Sequence, residues 1–165
     1  PADIYISDPT WANHIPMIEK SGLKYTKYPY YDPENRGLNF KGMIECLSNA
    51  PRGSIILLQS CAHNPTGVDP TKDQWREIAS VVAKNELVPF FDSTYSGFAS
   101  GDLENDNFPI RLFYEAGLQM IVAQSFSKTL GLYGERIGSV HFVTKSDDVA
   151  ARIKTQLMYI QYCNK

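Results

Sequence analysis

Five short apolar segments alternate with amphipathic segments along this chain, and this alternation limits the folds that the chain can adopt. The apolar segments span residues 3–7, 54–60, 87–92, 119–124 and 137–143. Most of them are continuously apolar, which is typical of strands that are covered on both faces. Apolar residues at helical spacing mark residues 38–48, 71–85 and 108–116, and another such stripe runs from residue 146 onward. The pattern predicts an α/β fold with a mainly parallel sheet and helices on both faces.

Local signals support these boundaries. Thr71 stands three residues before Gln74, which is the capping-box pattern at the start of a helix. Gly117 directly follows another helical segment and is placed to end it. The stretch 28–37 is rich in Pro, Asp, Asn and Gly, so we predict that it is a surface loop.

The composition excludes several classes of protein. The 165 residues carry 16 Lys plus Arg and 18 Asp plus Glu, a formal net charge of −2. This balance argues against nucleic-acid binding, which requires a basic excess or stripe. No apolar run approaches the roughly 20 residues that span a bilayer, so we expect no membrane association. Cys46, Cys61 and Cys163 lack the spacing of a disulfide framework or a zinc site, so we predict no metal and expect a reducing, cytoplasmic environment.

Polar residues gather directly after four of the predicted strands. They belong to the segments P-T-W-A-N-H (9–14), C-A-H-N-P-T-G (61–67), D-S-T-Y-S-G-F (92–98) and S-F-S-K-T-L-G-L-Y-G-E-R (125–136). In an open parallel sheet, ligands bind beyond the carboxyl ends of the strands. We therefore expect the four segments to face one cleft.

Lys128 is the candidate nucleophile. Its neighbours are small or apolar, no acidic residue is adjacent, and Arg136 follows eight residues later. An amine in such surroundings loses some preference for its charged form and becomes available for nucleophilic attack. Ser125 and Arg136 could clamp a phosphate beside it, because arginine binds phosphate bidentately. The alternative is an ordinary solvated lysine.

The remaining candidates each have a structural alternative. Asp92 ends an apolar strand and needs a cation or donors if buried, but it could also cap a helix or form an ion pair. Tyr95 and Asn64 can donate hydrogen bonds, or they are a rim aromatic and a turn residue. Trp11 could stack on a flat ring or belong to the core, and His14 could support a carboxylate or be a structural histidine.

The polar segments resemble the fold-type I pyridoxal-phosphate (PLP) aminotransferases, and specifically the aspartate aminotransferases of class I. The matching segments occur in the family's order, cover almost the full chain, and are most specific over residues 125–138. The resemblance implies that residues 1–165 are part of the PLP-binding large domain, without its N-terminal segment and the C-terminal small domain. It also implies a homodimer that transfers an amino group between aspartate and 2-oxoglutarate.

The resemblance implies roles at the reacting end of the cofactor. Lys128 would hold PLP as a Schiff base and then move the proton at the alpha carbon of the substrate. Asp92 would pair with the ring nitrogen and keep it protonated, and His14 would support Asp92 from behind.

The other candidates would hold the rest of the cofactor. Tyr95 and Asn64 would hydrogen-bond the phenolic oxygen of the ring. Trp11 would stack on the ring, and Ser125 and Arg136 would bind the phosphate. PLP needs a nucleophilic amine, an anion clamp and a buried carboxylate together.

The chain departs from the resembled family at several positions. Gln59 stands where histidine is frequent, and Thr94 stands where alanine is frequent. The substrate-binding arginines implied by the resemblance lie outside residues 1–165. Three possibilities therefore stay open: aspartate transamination, transamination of aromatic or other amino acids by a related enzyme, and a catalytically incompetent piece that only folds or binds its parent subunit.

Overall fold

The computed structural model describes residues 3–163 and contains a six-stranded sheet and a two-stranded hairpin. In chain order the elements are β1 (Ile4–Asp8), α1 (His14–Lys20), β2 (Tyr25–Pro29), β3 (Tyr31–Asp32), β4 (Gly37–Leu38), α2 (Phe40–Ser48), β5 (Ile55–Gln59), α3 (Lys72–Lys84), β6 (Val88–Ser93), α4 (Leu103–Asp106), α5 (Phe108–Glu115), β7 (Met120–Ser125), α6 (Phe126–Thr129), β8 (Gly138–Val143) and α7 (Asp147–Cys163).

The large sheet has the strand order β2-β1-β5-β6-β7-β8. Every pairing between neighbouring strands is parallel except that of β7 with β8, which is antiparallel. The prediction of a mainly parallel α/β sheet is confirmed. The exception arises because the short helix α6 and the turn after it reverse the chain direction before β8 begins.

Two apolar clusters cover opposite faces of the sheet. The larger contains Ile56, Leu58 and Phe91 of the sheet together with residues of helices α2, α3 and α5, among them Trp75 of α3, whose ring contacts that of Phe91. The smaller contains Ile4, Ile6 and Leu57 and packs against Ile18 of α1. Successive strand residues point to opposite faces, so neighbours such as Ile56 and Leu57 enter different clusters. The prediction of helices on both faces is confirmed.

The predicted helix ends are close to the observed ones. The Thr71 side chain accepts from the Gln74 N–H, and the Gln74 side chain accepts from the Thr71 N–H, so the capping box is present. Helix α5 has Ala116 as its C-cap, and Gly117 follows with a φ of 72°. That left-handed conformation suits glycine and ends the helix.

The prediction of a surface loop over residues 28–37 is wrong in its first half. Tyr28 completes β2 and is 1% exposed, and Tyr30 is 3% exposed. Their hydroxyls donate to the carbonyl oxygens of Leu57 and Val68 at 2.9 and 2.6 Å. The Pro, Asp, Asn and Gly residues in the later part of the stretch form only the tight turn between β3 and β4. The two tyrosines are buried in the core because their hydroxyl groups have hydrogen-bond acceptors there.

Helix α7 lies at the periphery. None of its side chains is buried, although its apolar residues follow the predicted helical stripe. Over residues 3–163, the helices lack the combined length and apolar character that a bilayer-spanning helix needs.

Candidate cofactor site

A cavity of about 730 Å³ lies at the carboxyl ends of β5, β6 and β7, on the sheet face that carries the smaller apolar cluster. Gln59 and Asp92 are register partners on β5 and β6, and both side chains reach this cavity. The structure brings all eight predicted site residues to its walls: Trp11, His14, Asn64, Asp92, Tyr95, Ser125, Lys128 and Arg136. The four polar segments thus share one cleft, as expected from the parallel sheet.

A chain of hydrogen bonds runs from α1 to Asp92. His14 Nε2 lies 3.1 Å from Asp92 Oδ2, and His14 Nδ1 lies 2.8 Å from the Thr10 hydroxyl. A carboxylate can only accept, so Nε2 carries a proton and, in the neutral ring, Nδ1 accepts from Thr10. The His14 side chain is 6% exposed and that of Asp92 is 22% exposed. Asp92 is therefore held from behind by His14 while part of its carboxylate faces the cavity.

The second carboxylate oxygen of Asp92 has a different partner. The Thr94 hydroxyl donates to Asp92 Oδ1 at 2.8 Å. Within residues 3–163, Asp92 caps no helix and pairs with no lysine or arginine, whereas its contact with His14 is an ion pair when the imidazole carries both protons.

Trp11 lies beside His14, at the α1 end of these hydrogen bonds, rather than in the core. Its ring meets the His14 ring edge to face, with centroids 5.3 Å apart and planes at 88°. The side chain is 37% exposed and lines the cavity, so the core alternative for Trp11 is wrong.

Asn64 is positioned through its backbone. The Gln59 side chain accepts from the Asn64 N–H at 2.8 Å and donates to the Asn64 carbonyl at 3.0 Å. The Asp69 carboxylate accepts from the N–H groups of Ala62 and His63 in the same turn. Both backbone groups of Asn64 are thus satisfied by Gln59, which leaves its side-chain amide at the cavity wall.

His63 is a buried support for this turn. Its Nε2 lies 2.9 Å from the Ser7 hydroxyl and its Nδ1 lies 2.7 Å from the Thr66 hydroxyl. Its ring stacks on Tyr30 with centroids 3.8 Å apart. Burial, reinforced by the nearby His14, lowers the pKa of His63 to about 4. The role of His63 was not predicted from the sequence, since two of its three partners, Ser7 and Tyr30, lie far away in the chain.

Lys128 lies in the short helix α6, which Ser125 caps by accepting from the Ser127 N–H. Lys128 Nζ lies 4.3 Å from the centroid of the Tyr133 ring, over its face. Arg136 Nη1 donates to the Tyr133 carbonyl at 3.3 Å, and the Arg136 backbone has a φ of 49°. One aromatic residue therefore contacts the amine through its ring and the guanidinium through its backbone.

The loop after Tyr95 is held by a buried acidic residue that was not predicted from the sequence. Asp106 is 3% exposed and accepts from the N–H groups of Gly97, Ala99 and Ser100, and from the Ser100 hydroxyl. The only sequence signal is an acidic residue shortly after a glycine-containing loop, which is common in turns. These bonds fix the loop that follows Tyr95.

The free hydrogen-bonding groups of the cavity fit PLP. Over residues 3–163, the Asn64 amide, the Tyr95 hydroxyl and the Lys128 amine make no hydrogen bond to other side chains or to the backbone. In the same part of the chain, Arg136 has no carboxylate within ion-pair distance. An amine, several donors, a guanidinium and a carboxylate thus converge on one cavity. This set of groups suits an aldehyde-bearing, phosphorylated aromatic heterocycle.

The fold and the cavity define a PLP-binding α/β protein. The sequence model described as aminotransferase class I and II matches residues 2–163, so the chain belongs to this family of PLP-dependent enzymes. The aspartate aminotransferase named cytoplasmic from Oryza sativa subsp. japonica is 50% identical over 157 residues, which cover 95% of this chain and 39% of that protein.

Solved structures give the same family. An aspartate aminotransferase from Trypanosoma cruzi superposes with a TM-score of 0.96 at 47% identity, covering 99% of this chain and 42% of that one. An aromatic-amino-acid aminotransferase from Burkholderia pseudomallei, covalently bound to PLP, superposes with a TM-score of 0.91 at 44% identity, covering 94% and 39%. The expected fold class, family and cofactor are confirmed.

The chain spans about two fifths of the length of the relatives it matches. Relatives at similar identity carry cytoplasmic, chloroplastic and mitochondrial names.

Proposed function

We propose that the protein carrying this chain is a PLP-dependent aminotransferase that exchanges an amino group between aspartate and 2-oxoglutarate. One observation carries the proposal: the amine of Lys128, the carboxylate of Asp92 and the guanidinium of Arg136 line one cavity with no ion pair between them. In this proposal, residues 1–165 belong to the large, cofactor-binding domain.

The chemistry divides between the cofactor and the chain. When bound, PLP supplies an electron sink for the negative charge that develops at the substrate's alpha carbon. Asp92, held by His14, would accept a hydrogen bond from the protonated ring nitrogen and would keep the positive charge of the ring in place. Among residues 3–163, Lys128 is the one lysine on the cavity wall, so its amine would bind the aldehyde carbon with loss of water and would carry the proton to and from the alpha carbon.

The remaining residues orient the ring. Tyr95 and Asn64 would direct hydrogen bonds to its phenolic oxygen, and Trp11 would stack on the ring. Arg136 and Ser125, the N-cap residue of α6, would bind the phosphate.

The choice of aspartate rests on the resemblance and on the relatives' names. An aromatic amino acid is the second candidate, because a structural neighbour at 44% identity is an aromatic-amino-acid aminotransferase.

The test incubates the whole protein with ¹⁵N-labelled aspartate and 2-oxoglutarate and follows the label into glutamate. Labelled phenylalanine serves as the competing donor, and Lys128→Ala is the inactive control. Faster transfer from phenylalanine than from aspartate would identify aromatic amino acids as the substrate class. No transfer from either amino acid would contradict the proposal.

We further propose a homodimer whose two cofactor sites need both subunits. Large exposed apolar side chains support this proposal, since Leu130 is 61% exposed, Ile137 48% and Val140 50%, and Ile137 also lines the cavity. Residues 1–165 alone should show little or no turnover, because the arginines that would grip the substrate lie outside them. Sedimentation of the whole protein tests the dimer, and assays of the isolated piece test its inactivity.

We also propose a cytoplasmic location. The free thiols of Cys46, Cys61 and Cys163 and the rice relative's cytoplasmic name support it. Cell fractionation is the test, and recovery in an organelle fraction would contradict it.

A further inference from the structure

The Asp92 carboxylate is held by two donors of different kinds. His14 Nε2 lies 3.1 Å from Oδ2, and the Thr94 hydroxyl donates to Oδ1 at 2.8 Å. Thr94 lies two residues after Asp92, where the chain leaves β6, and its side chain lines the cavity. The hydroxyl therefore reaches the carboxylate from the end of β6, whereas the imidazole reaches it from α1.

A hydrogen bond to an ionised group is short and stronger than one between neutral groups. It draws negative charge from the oxygen that accepts it, so the carboxylate becomes a weaker acceptor for any further donor. A carboxylate has about four lone-pair sites, so two bonds leave room for a third partner. Thr94 thus weakens Asp92 as a hydrogen-bond acceptor for a cavity ligand and leaves room for that ligand to bind.

We propose that Thr94 is a positioning residue that sets how strongly Asp92 holds the proton on the cofactor's ring nitrogen. The inference rests on the proposed function, because it needs PLP in this cavity. With the Thr94 hydroxyl in place, the negative charge of Asp92 is shared between that hydroxyl and the ring nitrogen, so the ring nitrogen is less completely protonated. Without the hydroxyl, Asp92 concentrates its charge on the ring nitrogen, which becomes more completely protonated.

Two substitutions separate the hydroxyl from the bulk of the side chain. Thr94→Val keeps the shape and removes the donor, whereas Thr94→Ser keeps the donor and removes a methyl group. The whole protein is loaded with PLP carrying ¹⁵N in the ring, and the nitrogen resonance is recorded in the wild type and both variants. Thr94→Val should move the resonance towards that of protonated pyridinium, and Thr94→Ser should leave it near the wild-type position. Identical resonances in wild type and Thr94→Val would overturn the inference.

A second measurement distinguishes charge tuning from simple orientation of the carboxylate. The dissociation constants of PLP and of its analogue with a ring C–H in place of the nitrogen are compared in wild type and Thr94→Val. Thr94→Val should tighten PLP about three- to tenfold and leave the analogue unchanged, because only PLP engages Asp92 through nitrogen. Weaker PLP binding in Thr94→Val, or equal changes for both ligands, would overturn the inference.

The two proposals fail in different ways. A wild-type protein that binds PLP but does not respond to Thr94→Val contradicts this inference and leaves the proposed function standing. A wild-type protein that binds no PLP contradicts both.

Discussion

His14 Nε2 lies 3.1 Å from Asp92 Oδ2, although 78 positions of sequence separate the two residues. The contact forms because β1 and β6 end at the same edge of a parallel sheet, with β5 between them. This hydrogen bond fixes the orientation of the Asp92 carboxylate, which lies on the wall of the cavity.

The first prediction concerns this pair. Asp92→Ala should weaken PLP binding about 10- to 100-fold, the range expected for a hydrogen bond to a charged group. His14→Phe should weaken it less, because His14 acts through Asp92. Absorbance titration with PLP gives both values. His141→Phe is the matched control, since His141 is exposed on β8 and should bind PLP like the wild type. An unchanged affinity in Asp92→Ala would contradict the role given to the carboxylate.

Gln59 should be needed for the turn that presents Asn64. Gln59→Leu leaves the Asn64 N–H without its acceptor, so the free energy of unfolding should fall by about 1–3 kcal/mol. Urea unfolding of the whole protein measures the change. Gln156→Leu, on the exposed side of α7, should stay within about 0.5 kcal/mol of the wild type. Equal losses in both variants would mean that the turn does not depend on Gln59.

Gly138 should tolerate no side chain. A Cβ there would overlap the Gln124 carbonyl oxygen on the neighbouring strand β7. Gly138→Ala should therefore lower the free energy of unfolding by about 1–3 kcal/mol, as overpacking does elsewhere. It should also displace Ser125, the register partner of Gly138. Gly134→Ala is the control, because nothing lies within 4 Å of its added Cβ. Similar melting temperatures for both variants would contradict this close approach.

Buried His63 should make the fold sensitive to acid. Burial lowers the pKa of His63 to about 4 from an ordinary value of 6.5. Between these pH values the unfolded chain binds a proton that the folded chain does not. The free energy of unfolding should fall as the pH drops through this window, by up to about 1.4 kcal/mol per pH unit. His63→Gln should flatten the slope in urea unfolding at several pH values, and the same slope in both proteins would contradict the prediction.

The sequence predicts the framework of the fold well, because long apolar runs and a capping box are local signals. Strand β5 and helix α3 lie within one or two residues of their predicted ranges. Strand β2 was not predicted, since most of its residues are exposed and it lies at the sheet edge. Helix α1 has only seven residues and no side-chain cap, so it carries little local signal.

The sequence likewise predicts some features of the candidate site and not others. The eight residues that the sequence singled out lie at the ends of strands or in the segments that follow them, where the topology brings them together. The Thr94, Gln59 and Asp106 contacts depend on side-chain directions in folded turns, which spacing in the sequence does not reveal. The roles of the eight residues towards PLP stay predictions until they are measured.

Lys128 is the residue on which the proposed chemistry depends. The most direct measurement loads the whole protein with PLP, reduces it with borohydride, and locates the phosphopyridoxyl group by peptide mass spectrometry. We expect the group on the peptide that contains Lys128, with no labelled peptide from Lys128→Ala and an unchanged pattern from Lys145→Ala. A label that persists in Lys128→Ala, or that lies on a different lysine in the wild type, would contradict the assignment of Lys128 as the cofactor-binding residue.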